Sequence, residues 1–323
     1  FAPFYRSIAV NVIVFLMIAI GWLKWGEVLN RYAYALLAVG FIATTLGLAM
    51  RIMISGRPPI TNLYSSTLFV GWFGLLMGLI MERVFKRGFA TLAASVVGAL
   101  ALMKGYQLAL EGSDTMGVLV AVLDSNFWLA THVICITIGY VACFIAAFIA
   151  HIYIFWGLFT KKLDRANGKA LELMAYGVVC FGLLFSIVGT ILGGIWADQS
   201  WGRFWGWDPK ENGALLICLW LIIILHARLG GYVRQRGLMV MTAFCSVITA
   251  ISWFGVNLLG AGLHSYGFTE RGLMSFFLFI LFETLLVVFS SIIPLSAWKS
   301  KGAATEEKEL QVEKTPESGE LTV

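Results

Sequence analysis

The chain has 323 residues, of which 59% are hydrophobic and 13% charged, and its mean hydropathy is +0.85. Soluble globular proteins carry about 25% charged residues, so this composition excludes a soluble enzyme or a soluble binding domain. The net charge of +5 would suit contact with nucleic acid or with anionic lipid. The basic residues, however, are distributed as in the loops of a membrane protein, so we expect a lipid bilayer and no nucleic acid as a partner.

The apolar runs are continuous rather than alternating, which favours helices over the strands of a membrane barrel. A helix needs about 20 apolar residues to cross a bilayer. The sequence therefore predicts an all-α, polytopic membrane bundle of about nine transmembrane helices. They cover residues 8–23, 32–50, 65–81, 89–103, 127–158, 174–197, 214–229, 238–259 and 273–297. The fourth is short and contains Gly98, so it could instead be interfacial or broken, which would leave eight.

The basic residues predict the orientation of these helices. Sixteen of the 23 Lys and Arg residues fall in the tail and in the loops after predicted helices one, three, five and seven. Loops rich in Lys and Arg face the cytoplasm, so this set is predicted to be cytoplasmic and the N-terminus to lie outside. We predict a transmembrane domain over residues 1–298 and a charged, disordered cytoplasmic tail over residues 299–323, because the Glu-rich tail has little to bury.

The cysteines lie inside apolar runs and form no Cys-x-x-Cys pair. They are predicted to be small buried hydrophobic residues rather than a disulfide or metal framework. No Cys-x-x-Cys-His motif is present, so the chain is not itself a c-type cytochrome. The five residues are Cys135, Cys143, Cys180, Cys218 and Cys245.

One external connection, residues 198–213, holds three tryptophans within seven residues, namely Trp201, Trp205 and Trp207. We call it the tryptophan segment. Its glycines allow a close approach of backbone to a flat ligand, and each indole offers a stacking face and one N–H donor. Tryptophans also anchor helices at membrane interfaces. That role is expected for Trp128, Trp196 and Trp298, but three tryptophans in seven residues exceed it.

Four charged residues of this segment have candidate roles. Arg203 and Lys210 are candidates to contact the acidic groups of a ligand, on charge and location alone. Asp208 and Glu211 are spaced as a capping box that begins the seventh helix. Capping is expected to be at least half of their role, and Asp208 also stays a candidate binding residue.

The four histidines fall into two groups by their predicted depth. His132 and His264 lie near the outer ends of helices five and eight, beside the tryptophan segment, whereas His151 and His226 lie near the inner ends of helices five and seven. Two imidazoles beside indoles suit a six-coordinate haem iron. The alternative is that His132 bonds a neighbouring helix and His264 caps a turn. Zinc is less suitable, because no carboxylate or Cys accompanies either residue.

Two further polar residues have open roles. His151 lies 19 residues after His132, about 28 Å along a helix, so the two cannot share one ligand site. It could pair with His226 or be a buried structural histidine. Glu283, in the middle of helix nine, could form a protonated interhelical hydrogen bond or belong to a polar path.

The tryptophan segment, with its Asp-Pro-Lys-Glu ending at Glu211, resembles the tryptophan-rich "WWD" signature of haem-handling membrane proteins. Within that superfamily the chain is similar to the CcsA (ResC) family of System II cytochrome c biogenesis. Residues 55–64, 128–133 and 255–267 add to the resemblance, which spans about residues 52–268. After Glu211 the family often has a further aromatic residue, where this chain has Asn212-Gly213.

The resemblance implies that haem b crosses the membrane and is presented to apocytochrome c, whose Cys-x-x-Cys-His thiols join the haem vinyl groups. It implies His132 and His264 as external axial ligands of the haem iron. It further implies His226 at an inner haem site, completed by the partner CcsB (ResB), and a holocytochrome c synthase activity of the CcsB–CcsA complex. The membrane would be the bacterial cytoplasmic membrane, or the thylakoid membrane in a plastid. Because the chain begins at Phe1, it could be the CcsA portion of a fused CcsB–CcsA protein.

Two alternatives remain. The first is a System I haem-handling protein of the CcmC or CcmF type, although the Asp-Pro-Lys-Glu ending and residues 262–267 argue against it. The second is a membrane transporter of another planar or anionic solute that binds no haem.

Overall fold

The computed structural model describes residues 2–112, 116–117, 119, 121–256 and 273–300. Within these residues nine helices are long and apolar enough to cross a membrane, which confirms the predicted all-α polytopic bundle. They are α1 Ala2–Gly21, α2 Gly26–Ser55, α3 Leu63–Phe85, α4 Phe89–Leu110, α5 Asn126–Phe159, α6 Arg165–Trp201, α7 Pro209–Leu229, α8 Gln235–Gly255 and α9 Leu273–Ile292.

Several helices are longer than their apolar runs. The largest difference is at α6, which begins at Arg165 rather than at the predicted residue 174. Asp164 caps it by accepting a hydrogen bond from the Asn167 backbone N–H. A hydropathy window ends where polar residues begin, whereas the backbone stays helical until a cap stops it.

The fourth helix is not broken at Gly98, and it is long and apolar enough to cross a membrane, so the described residues favour nine helices over eight. α4 runs unbroken through Gly98 and is among the most buried helices of the bundle. A Cβ atom at Gly98 would lie 2.9 Å from Leu75 Cδ2, and one at Gly78 of α3 would lie 2.2 Å from Ala94 Cβ. These glycines let α3 and α4 pack closely, as small residues do between membrane helices.

The bundle is built around α5, which packs against α3, α4, α6 and α8. α7 packs between α6 and α8. α9 lies at the periphery and buries only Glu283 and Ser290. Glu283 Oε2 accepts hydrogen bonds from Ser246 Oγ (2.7 Å) and lies 2.9 Å from His151 Nε2. An interhelical hydrogen bond, one of the two roles left open for Glu283, is therefore present, and His151 pairs with Glu283 rather than with His226.

Two predictions about single residue types need correction. Cys143, Cys218 and Cys245 are buried as predicted, but Cys135 is only half-buried and Cys180 is exposed on the apolar outside of α6. Trp298 is not an interface anchor, because its indole is fully buried. The chain after α9 folds back onto the bundle, and the Arg236 guanidinium lies 5.4 Å from the Trp298 ring centroid.

The predicted tail lies outside the described residues from 301 onward. Its cytoplasmic location and its disorder stay predictions.

Candidate functional site at the tryptophan end of the bundle

A large cavity opens at the end of the bundle that carries the tryptophan segment, here called the tryptophan end. It lies between α3, α5, α6, α7 and α8, and its empty space, including the open mouth, measures about 1240 Å³. Trp253 Nε1 donates to Ser66 Oγ (3.2 Å), which joins α8 to α3 across the cavity wall.

His132 lines the cavity from a π turn, Leu129–Val133, near the start of α5. Its Nδ1 lies 2.8 Å from the Gly189 carbonyl oxygen on α6. A carbonyl only accepts, so Nδ1 carries the proton, and in the neutral ring Nε2 holds the lone pair that can bind a metal. The hydrogen bond to a neighbouring helix and the capacity to ligate iron are therefore compatible.

Two further contacts from α6 hold the His132 ring. The edge of the ring meets Trp196, with 5.7 Å between the ring centroids. A Cβ atom at Gly193 would lie only 2.6 Å from His132 Cε1, so this position has room for glycine alone. The imidazole is thus positioned by a hydrogen bond, an aromatic contact and a close backbone approach.

A second π turn, Ile251–Gly255 of α8, lines the cavity through Trp253. π turns inside α-helices are frequent at functional sites, because the wider turn frees carbonyl groups and redirects side chains. His264, the predicted second ligand, lies outside the described residues.

The tryptophan segment begins where α6 ends. Gly202 adopts a left-handed conformation with φ 68°, and its N–H donates to the Asp198 carbonyl oxygen (2.8 Å). Trp201 and Trp205 line the cavity. Trp207, also left-handed at φ 57°, is 70% exposed and meets Trp205 edge to face with centroids 6.0 Å apart. Two of the three predicted indoles therefore face the ligand space, and the third faces outward.

Glu211 organises the rest of the segment. Its Oε2 accepts from the Gly206 backbone N–H (2.8 Å) and from the Asp208 backbone N–H (3.1 Å). Asp208 in turn caps the start of α7, and the predicted capping box is confirmed. The Arg203 Nη1 atom lies 3.8 Å from Glu211 Oε1. A Cβ atom at Gly206 would lie 0.9 Å from the same Arg203 Nη1 atom. Arg203 therefore packs over the segment and is absent from the cavity lining among the described residues.

Lys210 brings a positive charge into the cavity. Its side chain is half-buried, and Nζ donates to the Trp253 carbonyl oxygen (3.0 Å) on the second π turn. The neighbouring Glu211 carboxylate also lines the cavity. The only basic side chains lining this cavity within the described residues are thus Lys210 and His132.

Sequence reasoning missed two aromatic residues of the site. Trp196, expected to be a membrane anchor only, lines the cavity and contacts His132. Trp128 is buried and stacks on Trp196 with centroids 6.2 Å apart and an interplanar angle of 11°. The spacing of Gly189, Gly193 and Trp196 places all three on one helix face, a signal that could have indicated Trp196.

His226 lies at the opposite end of the bundle and is not part of the cavity. It is exposed near the end of α7, and its Nδ1 lies 2.9 Å from the Ile222 carbonyl oxygen. As at His132, Nδ1 carries the proton, so the lone pair of the neutral ring is on Nε2. The structure therefore separates His226 from His132, as the predicted depths required.

Taken as a ligand site, the cavity offers an imidazole nitrogen fixed in its tautomer, indole faces, a glycine-lined wall and one ammonium group. These groups fit a planar, largely apolar macrocycle that contains a metal and carries acidic substituents. Groups of three or more His, Cys, Asp or Glu residues that could hold a bare metal ion do not occur among the described residues.

The family model and the CcsA relatives that resemble this chain have names that refer to cytochrome c assembly or biogenesis. Residues 60–264 match the family model described as "Cytochrome C assembly protein". The chain is 31% identical over 303 residues to the "Cytochrome c biogenesis protein CcsA" of Chlorella vulgaris, covering 80% of this chain and 94% of the relative. It is 29% identical over 279 residues to the CcsA of Prochlorococcus marinus, covering 76% of this chain and 87% of the relative.

Two longer proteins match this chain over only part of their own length. "Protein NrfI" of Wolinella succinogenes is 35% identical over 233 residues, which cover 70% of this chain and 25% of NrfI. The solved structure of "Cytochrome c Heme Lyase CcmF" shares the fold, with a TM-score of 0.64 at 17% identity over 89% of this chain and 50% of CcmF. The family model matches more than half of the sequence, and the chain therefore belongs to the cytochrome c assembly protein family.

Proposed function

We propose that this chain handles haem in cytochrome c biogenesis: it carries haem b across the membrane and presents it at the tryptophan end to apocytochrome c. The observation that carries the proposal is the cavity, in which the tautomer of His132 is fixed by the Gly189 carbonyl beside the indoles of Trp196, Trp201 and Trp205. The names of the CcsA relatives, which the chain matches over most of their length, support the same role.

In this proposal His132 Nε2 would bind the haem iron, and His264 would supply a second ligand, as the sequence resemblance implies. The indoles cover the macrocycle and exclude water, and Lys210 is the cation in the cavity that can meet a propionate. Attachment requires reduced iron and free thiols held beside the vinyl groups. The chain's own contribution is orientation and protection of the iron rather than acid or base catalysis.

In this proposal the two ends of the bundle face opposite sides of the membrane. The tryptophan end is external, because the Lys- and Arg-rich loops lie at the opposite end. His226 belongs to an inner haem site that a CcsB subunit or domain completes, which is consistent with its exposed ring. Residues 1–298 then form the haem-handling domain, in a bacterial cytoplasmic membrane or a thylakoid membrane.

The System I alternative is less well supported. The likeness to CcmF is at 17% identity and concerns the fold, whereas the relatives named CcsA reach 29–31% identity over 87–94% of their length. These matches favour System II. No contact in the described part of the chain favours a transporter that binds no haem.

Absorption spectroscopy of the purified protein, with and without CcsB, tests the proposal. We expect a Soret band in the wild type, and a weaker, shifted band for His132→Ala and for His264→Ala. With CcsB present, His226→Ala should lose a separate portion of bound haem. His151→Gln, which changes the one histidine outside both sites, is the control and should keep both portions. A colourless wild type, or a Soret band that ignores His132→Ala and His264→Ala, would contradict the proposal.

A further inference from the structure

Tyr140 of α5 lines the cavity at the tryptophan end, and neither the sequence resemblance nor the proposed function assigns it a role. The residue is only 4% exposed. It follows His132 by eight residues, so it lies about 12 Å further into the bundle along the helix axis. Tyr140 therefore belongs to the inner part of the cavity, whereas His132 is nearer to its mouth.

The Tyr140 hydroxyl forms no hydrogen bond with any of the described residues. A buried tyrosine hydroxyl usually has a partner, because an unpaired polar group in the interior is destabilising. Other hydroxyls of the cavity lining bond to their own helix: Thr137 Oγ1 donates to the Val133 carbonyl oxygen (2.7 Å). Thr190 Oγ1 does the same to the Ser186 carbonyl oxygen (2.7 Å). A phenol is too long and too rigid to return to its own turn, so the acceptor for Tyr140 must come from the cavity.

The position of the Tyr140 ring is fixed by α8. The ring lies against Trp253 with 6.2 Å between the centroids and an interplanar angle of 34°. Trp253 is itself 6% exposed and is bonded to Ser66 of α3. A tyrosine side chain has two rotatable torsions and loses little conformational entropy when it binds a ligand. The hydroxyl is thus a hydrogen-bond donor that is already in place.

Lys210 adjoins the same tryptophan. Its Nζ donates to the Trp253 carbonyl oxygen (3.0 Å), which uses one of the three N–H donors of an ammonium group and leaves two for a ligand. The Glu211 carboxylate, which also lines the cavity, accepts from two backbone N–H groups of the tryptophan segment. A phenol hydroxyl and an ammonium group therefore both lie beside Trp253, on the α8 side of the cavity.

From this arrangement we infer that Tyr140 donates a hydrogen bond to a propionate of haem and binds the propionate edge of the ring on the α8 side. The inference rests on the proposed function and deepens it. The propionates are the substituents of haem that accept strong hydrogen bonds, whereas its vinyl and methyl groups are apolar. Hydrogen bonds to a carboxylate are stronger than those to a neutral acceptor, and Lys210 supplies the positive charge that a buried carboxylate requires.

This contact would set the orientation of haem in the cavity. Haem carries its two propionates on one edge, and its vinyl groups lie away from that edge. If the propionate edge is bound beside Tyr140 in the inner part of the cavity, the vinyl groups are directed toward the mouth, where thiols of a polypeptide can approach. Tyr140 is therefore a positioning residue for haem attachment and takes no part in the bond-forming step.

Binding titrations of haem and of haem dimethyl ester, followed by the Soret band in nanodiscs, test the inference. Tyr140→Phe removes only the hydroxyl and should weaken haem binding about tenfold, since a hydrogen bond to a charged group is lost. An ester carbonyl accepts a weaker hydrogen bond, so the same change should weaken ester binding less than threefold. The wavelength of the Soret band should stay that of the wild type.

Tyr153→Phe is the matched control, because it removes a hydroxyl from the same helix outside the cavity lining. Its hydroxyl donates to Gln235 Oε1 (3.2 Å) at the opposite end of the bundle. This variant should bind haem and the ester as the wild type does. The thermal midpoint of the ligand-free protein should not fall in Tyr140→Phe, because no hydrogen bond within the protein is lost.

Four results would overturn the inference. Unchanged haem affinity in Tyr140→Phe would mean that water satisfies the hydroxyl, and equal losses for haem and ester would indicate a packing role. A shifted Soret band would identify Tyr140 as an iron ligand. A lower thermal midpoint without ligand would place the hydroxyl in a hydrogen bond within the protein. A wild type that binds neither haem nor the ester would instead reject the proposed function itself, on which the inference rests.

Discussion

The two ends of the helical bundle treat their polar side chains differently. At the tryptophan end, five helices surround an open cavity whose lining includes His132 and Lys210. At the opposite end, the buried Glu172 of α6 accepts hydrogen bonds from Arg228, from Gln235 (3.2 Å) and from Lys169 (3.2 Å). One end is held open and the other is closed by paired charges.

The two ends of the bundle are held rigid by different kinds of contact. Close glycine contacts, two π turns and a capping box keep the open end from collapsing onto itself. The closed end joins α6, α7 and α8 through one carboxylate, so its interactions stabilise the fold. Ligand sites form where packing is incomplete but the walls are fixed. Substitutions at the two ends should therefore affect different measurable quantities.

Among substitutions that leave the proposed iron ligand in place, the largest effect is expected from Gly193→Ala, which fills the open end. Its Cβ would lie 2.6 Å from His132 Cε1, so the imidazole must move. Displacing a metal ligand from its supporting contacts typically weakens binding 10- to 100-fold, and we expect a loss of about that size in haem affinity. Gly177→Ala on the same helix is the matched control, because nothing lies within 4 Å of its Cβ. Both changes raise helix propensity equally, so equal haem affinities for the two variants would refute the role of Gly193.

A second prediction concerns the closed end. Glu172→Gln removes the charge that pairs with Arg228, and leaving a partly buried charged group without its partner destabilises a protein by about 1–3 kcal/mol. We expect a lower thermal midpoint in detergent, with the haem affinity of the folded protein unchanged. The exposed Glu27 provides the control variant, Glu27→Gln, which should leave the midpoint unaltered. A loss of haem affinity without a loss of stability would contradict the division between the two ends.

The smallest expected effect distinguishes two tryptophans of the same segment. Trp205 lines the cavity, whereas Trp207 is 70% exposed. Aromatic contacts contribute about 0.5–1.5 kcal/mol beyond their buried area, so Trp205→Phe should weaken haem binding about three- to tenfold. Trp207→Phe should change it less than twofold. If haem titration showed a larger loss of affinity for Trp207→Phe than for Trp205→Phe, Trp207 would contact haem in the bound protein, and this prediction would be wrong.

Much of the fold could be predicted because it depends on local sequence. Apolar runs of sufficient length determined the nine helices, and the spacing of Asp208 and Glu211 predicted the cap of α7. The helix ends were less accurate, as at Arg165, because polar residues continue a helix until a cap ends it. Gly98 wrongly suggested a broken fourth helix. Close packing of α4 against α3 compensates for the weak helix propensity of this glycine.

The site was predicted only in part, since its geometry depends on contacts between distant segments. The depth of His132 in the bundle could be predicted from its place in α5. Its hydrogen bond to the Gly189 carbonyl could not, because that bond requires the packing of α5 on α6. The turn of Arg203 toward Glu211 and the contribution of Trp196 arise in the same way. The two π turns have no simple pattern in the sequence, because the wider turn is selected by tertiary contacts.

Chemical rescue of His132→Gly tests the central claim most directly. If His132 Nε2 binds the haem iron, the variant should lose more than about 100-fold in haem affinity, because removing a ligand exceeds the effect of removing its supporting contacts. Added imidazole, which can occupy the space left by the side chain, should restore the wild-type Soret band. A His132→Gly protein that binds haem with wild-type affinity and an unchanged spectrum, with no response to imidazole, would contradict the account.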